Sequence, residues 1–203
     1  MNKYIIMGPQ GSGKTAQARR LCGEFDFVHI NFGEMFRWHI QKHTKIGARI
    51  QRVVHAGELV PDDIVMEVVM DRLDQHDWNY GFVLDGFPRD YTQARFFLES
   101  YDADAVIHIQ VSDVVVMERL QNRQFDSDSV NPGASMIDNI RERLELYHSK
   151  TQPALDLFQA RGLVVDVDGS YDEEKVYKEI KNRLALTEAA IMGIMRDARK
   201  SSP

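Results

Sequence analysis

The sequence predicts an α/β fold, a three-layer sandwich around a central parallel sheet of five strands. Short apolar runs alternate along the chain with segments whose apolar residues recur every three to four positions. This alternation is typical of parallel strands that are joined by helices. With 203 residues, 43% of them hydrophobic, the chain is long enough for one large core. We therefore expect a single domain over residues 1–203.

Each strand is predicted from an apolar run that is bounded by polar, glycine or proline residues. Each helix is predicted from its 3.6-residue period, and Ser112 or Asp113 and Asp172 are suited to cap two of them. The predicted strands are Tyr4–Met7, Phe27–Asn31, Phe82–Leu84, Ala105–Val111 and Leu163–Val167. The predicted helices begin near Gly13 and then cover 33–43, 46–56, 62–74, 91–100, 112–123, 136–157 with a bend at Pro153, and 172–186.

Two segments do not fit this alternation. Residues 124–135 contain Asp, Ser, Asn, Pro and Gly and are predicted to be a loop. Residues 187–203 form a tail with a short amphipathic pattern around Ile191, Met192 and Met195. We expect this tail to pack on the body of the domain or to fray, in preference to binding a partner.

Composition excludes several classes of function. The net charge of −6 argues against a nucleic-acid partner, since such proteins carry a basic face. No run approaches the ~18 apolar residues of a membrane helix. The single cysteine, Cys22, excludes an internal disulfide and a zinc site built from several cysteines. The first strand begins so close to Met1 that no signal peptide is predicted, and we expect a cytoplasmic protein.

The most informative stretch is Gly8-Pro9-Gln10-Gly11-Ser12-Gly13-Lys14-Thr15, which lies between the first strand and the first helix. Its glycines allow the backbone N–H groups to point inward, and the helix N-terminus favours an anion there. Lys14 can reach the outer phosphates of a nucleotide, and the Thr15 hydroxyl can bind Mg²⁺. The spacing is that of a P-loop, so we predict a nucleotide-binding P-loop NTPase fold.

Several arginines lie where a parallel sheet places its ligand crevice, beyond the carboxyl ends of the strands. Arg89 follows the strand that ends at Asp85, in Asp85-Gly86-Phe87-Pro88-Arg89, and is predicted to contact phosphate. Asp85 itself can hold Mg²⁺ through water opposite Thr15, the alternative being a strand-end turn residue. Further candidates are Arg37, Arg119, Arg123 and Arg143, and for the last three a solvated surface position stays open.

Other segments add specificity to the P-loop. They are Gly33–Arg37, Gly57–Asp62, Asp85–Arg89 with Gln93, the Arg119 and Arg123 pair, and Arg141–Leu144 with Tyr147, Thr151 and Pro153. In this order and spacing the chain resembles the adenylate kinases and closely related nucleoside monophosphate kinases, from about Asn2 to Leu186. The resemblance implies a core that binds MgATP, a monophosphate-binding flap at 31–60 and a short lid at 124–135.

Site residues are carried over from this resemblance position by position. Lys14, Arg89, Arg123 and Arg143 are the implied catalytic residues. ATP binding is implied for Gly11, Ser12, Gly13, Lys14, Thr15, Ala16, Arg119, Arg123, Gly169, Ser170 and Tyr171. Monophosphate binding is implied for Phe32, Arg37, Glu58, Leu59, Val60, Gly86, Arg89, Gln93 and Arg143. Mg²⁺ is implied at Thr15 and, through water, at Asp85, and no zinc is expected.

The chain departs from the family pattern in places. Thr15-Ala16 replaces the usual Gly-Thr after the lysine, which puts a hydroxyl directly beside Lys14. Phe32 replaces a small hydroxyl residue, so a polar contact to the acceptor base is lost. In the lid, an arginine followed by two aspartates is absent, and the matching stretch reads Asn131-Pro132-Gly133-Ala134-Ser135.

The predicted function is transfer of the γ-phosphoryl group of MgATP to AMP, because Gln93 follows Arg89 at the adenylate kinase spacing. Two alternatives stay open at this point. Because of Phe32, the acceptor could instead be UMP, CMP or a deoxynucleotide. Because of the incomplete lid, the chain could instead be a kinase-derived binding protein that responds to nucleotides and transfers phosphate weakly. Nucleotides are the expected partners, with no nucleic acid or membrane, and the family resemblance implies a monomer.

Overall fold

Five parallel strands form one sheet in the computed structural model, which describes residues 2–55, 60–122 and 135–185. The strands are β1 (Lys3–Met7), β2 (Val28–Asn31), β3 (Phe82–Asp85), β4 (Ala105–Gln110) and β5 (Val164–Asp168). Their order across the sheet is β2-β3-β1-β4-β5. The predicted parallel sheet of five strands is therefore confirmed.

The helices within the described residues lie close to their predicted positions. Ser112 caps its helix by accepting a hydrogen bond from the Val115 N–H, and Asp172 does the same for Lys175. The helices are α1 (Lys14–Phe25), α2 (Phe32–Gln41), α3 (Lys45–His55), α4 (Asp62–Asp74), α5 (Tyr91–Ser100), α6 (Asp113–Gln121), α7 (Met136–Leu146), α8 (Gln152–Gln159) and α9 (Glu173–Arg183).

The helix predicted over 136–157 is divided by a π-helical turn, Tyr147–Thr151, between α7 and α8. The Gln152 N–H donates to the Tyr147 carbonyl five residues earlier, which widens the backbone at this turn. Pro153 has no N–H with which to continue the α-helical ladder to Ser149. The π-helical turn therefore lies directly before Pro153, where the missing N–H interrupts the α-helical hydrogen bonds.

Apolar side chains fill both faces of the sheet, which explains the three layers. In β1, Ile5 and Met7 enter one core while Tyr4 and Ile6 enter the other. The first core is covered by α4, α5 and α8, and the second by α1 and α9. Each fully buried large apolar side chain contributes about 1.5–3 kcal/mol, so these two cores hold the strand ends at fixed positions.

Helices α2 and α3 pack against each other, and Phe32 of α2 also enters the first core. The Gly47 N–H donates to Thr44 Oγ1 over 2.9 Å, and His39 Nδ1 lies 2.9 Å from the same oxygen. A Cβ on Gly47 would lie 2.0 Å from the His39 carbonyl oxygen, so only glycine permits this approach. This helical pair lies within the segment that the sequence predicts as the flap.

Some predicted features fall outside the described residues. They are the flap residues Glu58 and Leu59, Arg123, most of the predicted lid at 124–135 and the tail at 187–203. Within the described part of the chain, no helix has both the length and the apolar character needed to cross a bilayer.

Candidate active site

The carboxyl ends of the three neighbouring strands β1, β2 and β3 bring the central residues of the site together. Asp85 is paired in register with Ile6 on one side and with Asn31 on the other. The P-loop begins directly after β1, and α2 begins directly after β2. The strand order therefore places the P-loop, the start of α2 and Asp85 at one edge of the sheet.

The P-loop joins β1 to α1 with its backbone tightly wrapped. Gly13, the N-cap residue of α1, has φ of 93°, a left-handed conformation that favours glycine. A Cβ on Gly8 would lie only 2.6 Å from the Ile109 carbonyl oxygen, so close approach to β4 also requires glycine there. This geometry aims the N-terminus of a 12-residue helix at the loop, where it favours an anion.

Lys14 is the first residue of α1, and its side chain folds back over the loop. The Nζ donates to the Pro9 carbonyl over 3.3 Å. Burial lowers the pKa of Lys14, the Asp85 carboxylate opposes this effect, and the Arg89 guanidinium adds to it. Without a ligand, the site therefore disfavours the charged form of Lys14. An anionic ligand would favour that charged form.

Asp85 is a buried carboxylate that receives hydrogen bonds from both neighbouring elements. Its Oδ2 accepts from Thr15 Oγ1 and from Asn31 Nδ2, each over 2.7 Å, and lies 3.4 Å from His29 Nε2. Burial on its own would raise the pKa of Asp85, but the contacts with His29 and Thr15 and the charge of Lys14 outweigh it. The net effect lowers the pKa of Asp85 below its usual value, so the carboxylate is ionised beside Thr15.

Arg37 and Arg89 lie around a close contact between the start of α2 and the turn after β3. A Cβ on Gly86 would lie 3.5 Å from Arg89 Nη2 and 3.9 Å from the Gly33 nitrogen, and one on Gly33 would lie 3.7 Å from Arg37 Nη1. Arg89 Nε also donates to the Gly86 carbonyl over 2.9 Å. One guanidinium group therefore lies beside Gly86 and the other beside Gly33, and their contact with a phosphate stays a prediction.

Two more predicted arginines, Arg119 and Arg143, form hydrogen bonds to loops that follow strands of the sheet. Arg119 Nη2 donates to the Gly169 carbonyl over 2.8 Å and to the Tyr171 carbonyl over 3.4 Å. Arg143 Nη1 donates to the side-chain oxygen of Gln10 at the tip of the P-loop. Arg119 is thus hydrogen-bonded to the loop at 169–171, which is predicted to bind ATP together with it. Arg143 is hydrogen-bonded to the P-loop itself.

Phe32 differs from what the sequence leads us to expect. Its ring is 1% exposed and lies 5.2 Å from the ring of Phe87, inside the core formed with α4 and α5. An aromatic ring gains more free energy in this core than beside a polar base. The ring of Phe32 is therefore a core side chain, and a role of this residue in monophosphate binding stays a prediction.

Gln93 is also buried, and its amide is already engaged. Nε2 donates to Asp62 over 2.8 Å and to Asp90 over 3.0 Å, while Oε1 accepts from the Arg89 N–H over 2.9 Å. These contacts join α4, α5 and the turn after β3 that carries Arg89. Recognition of an acceptor base by Gln93 stays a prediction.

Gln10, His29 and Asn31 lie in the site but are not among the site residues predicted from the sequence. A signal was present for Asn31, because a strand-end asparagine before a helix is a good N-cap, and its Oδ1 accepts from the Glu34 N–H over 2.9 Å. Its contact with Asp85 depends on β2 lying next to β3, which no local pattern reveals. Gln10 and His29 carry no comparable sequence signal.

The site combines a phosphate loop, a hydroxyl and a carboxylate suited to Mg²⁺, and arginines on two sides. Phosphoryl transfer requires these parts, because it depends on positioning and on charge stabilisation more than on covalent chemistry. The fold and the site define a P-loop phosphotransferase.

Comparison with known proteins narrows this class. Residues 6–163 match the family model described as adenylate kinase. The adenylate kinase of Clavibacter michiganensis is 34% identical over 190 residues, which cover 91% of this chain and 94% of that protein. Adenylate kinase 1 of Nostoc sp. is 36% identical over 191 residues, which cover 91% and 99%. The chain belongs to the adenylate kinase family, whose members convert ATP and AMP into two ADP.

Proposed function

We propose that this chain transfers the γ-phosphoryl group of MgATP to AMP at the edge of the sheet described above. The observation that carries the proposal is the hydrogen bond of 2.7 Å between Thr15 and Asp85, with Lys14 close enough to interact with both Asp85 and Arg89. This hydrogen bond joins the P-loop to the end of β3, which leads into the turn that carries Arg89. The two substrates would meet there.

The donor nucleotide is proposed to lie along the P-loop and α1. The amides of 11–16 and the Lys14 ammonium hold its phosphates, while Arg119 and the loop 169–171 border its base. The hydrogen bonds from Arg119 to this loop support the assignment, since they keep both walls of the base site together. Arg123 and Arg143 then stabilise charge on the transferred group.

Thr15 and Asp85 are the residues that would hold Mg²⁺, and their oxygen atoms suit a hard cation. When bound, the ion neutralises charge on the donor phosphates. The Thr15 hydroxyl directs its proton to Asp85, which leaves its lone pairs available. Mg²⁺ is the only metal in the proposal, and no zinc is included.

The acceptor is proposed to bind between α2 and the turn after β3. Arg37, beside Gly33, and Arg89, beside Gly86, would bind its phosphate. The remaining proposed acceptor residues are Phe32, Glu58, Leu59, Val60, Gln93 and Arg143. For Phe32 the contact is limited to its backbone, since its ring is buried.

The proposed organisation is a single domain with a flap at 31–60, a short lid at 124–135 and a C-terminal tail at 187–203. Flap and lid would close on the nucleotides and exclude water from the acceptor side, while the lid, which has no cation, leaves the donor site partly hydrated. We further propose that the protein acts as a monomer in the cytoplasm.

A coupled assay with ATP and each candidate acceptor tests the proposal. We expect AMP to be phosphorylated with a kcat/KM well above those for UMP, CMP and dAMP, and the rate to depend on Mg²⁺. A higher kcat/KM for UMP or CMP than for AMP would show that the acceptor is that nucleotide and not AMP. Tight ATP binding without transfer to any monophosphate would overturn the enzymatic function.

A further inference from the structure

Asn31 occupies the junction between two parts of the site. It is the last residue of β2 and the N-cap of α2, and the sheet register pairs it with Asp85. Its Oδ1 accepts from the Glu34 N–H over 2.9 Å, and its Nδ2 donates to Asp85 Oδ2 over 2.7 Å. A single amide therefore links the first turn of α2 to the buried carboxylate.

The amide of Asn31 has only one orientation that satisfies both contacts. A carboxylate accepts hydrogen bonds, so the NH₂ group must face Asp85, and the oxygen must face the Glu34 N–H. The same oxygen of Asp85 accepts from Thr15, and the Asp85 side chain is 2% exposed. Two short donors on one oxygen of a buried carboxylate restrict its rotation.

The backbone on the helix side of Asn31 is anchored as well. Phe32, the next residue, buries its ring against Phe87, which is two residues beyond Asp85. The hydrogen bond and the ring contact thus join the same two segments, the start of α2 and the turn after β3. Asn31 cannot move away from Asp85 without disturbing this packing.

We propose that Asn31 is a positioning residue that holds Asp85 beside Thr15 and couples this carboxylate to α2, the helix that carries Arg37. The proposal rests on the proposed function, because it takes Asp85 as part of the metal site and Arg37 as a contact of the acceptor phosphate. Through Asn31, the metal end and the acceptor-phosphate end of the site keep a constant separation. In-line transfer requires that separation.

The test is Asn31→Ala in the full chain. We expect kcat to fall about 10–100-fold, as for other residues that orient a metal ligand, with the KM for AMP within about twofold of wild type. Binding of Mn·ATP, followed by electron paramagnetic resonance with Mn²⁺ in place of Mg²⁺, should weaken about tenfold. Binding of ATP in EDTA, measured by calorimetry, should change by less than about twofold, since Asn31 acts through the metal site.

A matched control separates this role from helix capping. Asp172→Ala removes a cap of the same length, 2.9 Å to the Lys175 N–H, from α9. It should lower thermal stability as Asn31→Ala does and leave kcat and Mn·ATP affinity unchanged. If Asn31→Ala behaves like this control in every measurement, Asn31 is only a cap and the inference is overturned.

A second variant covers the case in which Asn31→Ala does not fold. Asn31→Gly removes the donor to Asp85 and is tolerated at an N-cap almost as well as asparagine. It should fold and show a similar loss of kcat, and wild-type kinetics would overturn the inference. Failure of the wild-type chain to phosphorylate AMP would instead overturn the proposed function, so the two failures are distinguishable.

Discussion

Thr15 and Asp85, 70 residues apart in the sequence, share a hydrogen bond of 2.7 Å at the edge of the sheet. Thr15 belongs to the first helical turn after the P-loop, and Asp85 ends the neighbouring strand. Their contact joins the phosphate loop to the strand that leads into Arg89.

Lys14→Met should abolish transfer while the protein stays folded. Loss of one preorganised cation should lower kcat roughly 10²–10³-fold or more. The pKa of Lys14 is lowered by burial, so its charge costs stability in the free protein at neutral pH. We therefore expect the variant to be at least as stable as wild type at pH 7 in urea unfolding.

The same shift predicts a pH dependence on the alkaline side. Between the lowered folded pKa of Lys14 and the unfolded value near ~10.4, the unfolded chain binds more protons, so stability rises with pH. This rise should be present in wild type and absent in Lys14→Met. Identical alkaline profiles, or near-wild-type activity of the variant, would contradict the role given to Lys14.

Arg89→Ala should weaken AMP binding far more than ATP binding. A charge-assisted hydrogen bond contributes about 1.5–3 kcal/mol, which corresponds to a rise in the Kd for AMP of about 10–100-fold. Calorimetry with each nucleotide separately measures the difference. The control is Arg95→Ala, since Arg95 is exposed on α5 and pairs with Glu99 over 3.6 Å. Equal losses for ATP and AMP would make Arg89 a structural residue.

Phe32→Thr should lower stability without changing the acceptor preference. The ring is buried against Phe87, so its removal leaves a cavity and a buried hydroxyl, at a cost of about 3–5 kcal/mol in the free energy of unfolding. Urea unfolding and the ratio of kcat/KM for AMP and CMP check both parts. A preference that sharpens toward AMP would show that the position reads the base after all.

Asp85→Asn should remove part of the acid sensitivity of the fold. The pKa of Asp85 is lowered in the folded chain, so the stability it contributes is present above the unfolded value of about 3.9 and is lost as the pH falls through the folded pKa. Below about pH 4, wild type should lose stability more steeply than the variant in urea unfolding. Asp102→Asn, at a side chain that is 92% exposed, is the control and should follow wild type.

The predicted lid at 124–135 has no lysine or arginine, so it cannot add a cation to the phosphates. We expect wild type to hydrolyse ATP slowly in the absence of AMP, because closure leaves the donor site partly hydrated. Pro132→Arg should raise transfer and lower this hydrolysis, whereas Pro132→Gln should do neither. Transfer at the same rate in all three chains, without hydrolysis, would show that the remaining cations suffice.

The class of fold and the phosphate loop could be predicted from local patterns in the sequence. The spacing of Gly8, Gly13, Lys14 and Thr15 between an apolar run and a helical period is a local property of the chain. Backbone freedom, N–H direction and helix polarity all depend on residues that are adjacent in sequence. For the same reason the five strands and the caps at Ser112 and Asp172 could be predicted.

How the separate segments meet could be seen only in the folded chain. Strand β3 lies between β1 and β2, and this order places Asn31, Asp85 and Thr15 together although long stretches of chain separate them. The burial of Phe32 and the engagement of Gln93 depend in the same way on which helices cover the sheet. A local pattern carries no information about these neighbours, because their contacts are set by the packing of the whole sheet and its two cores.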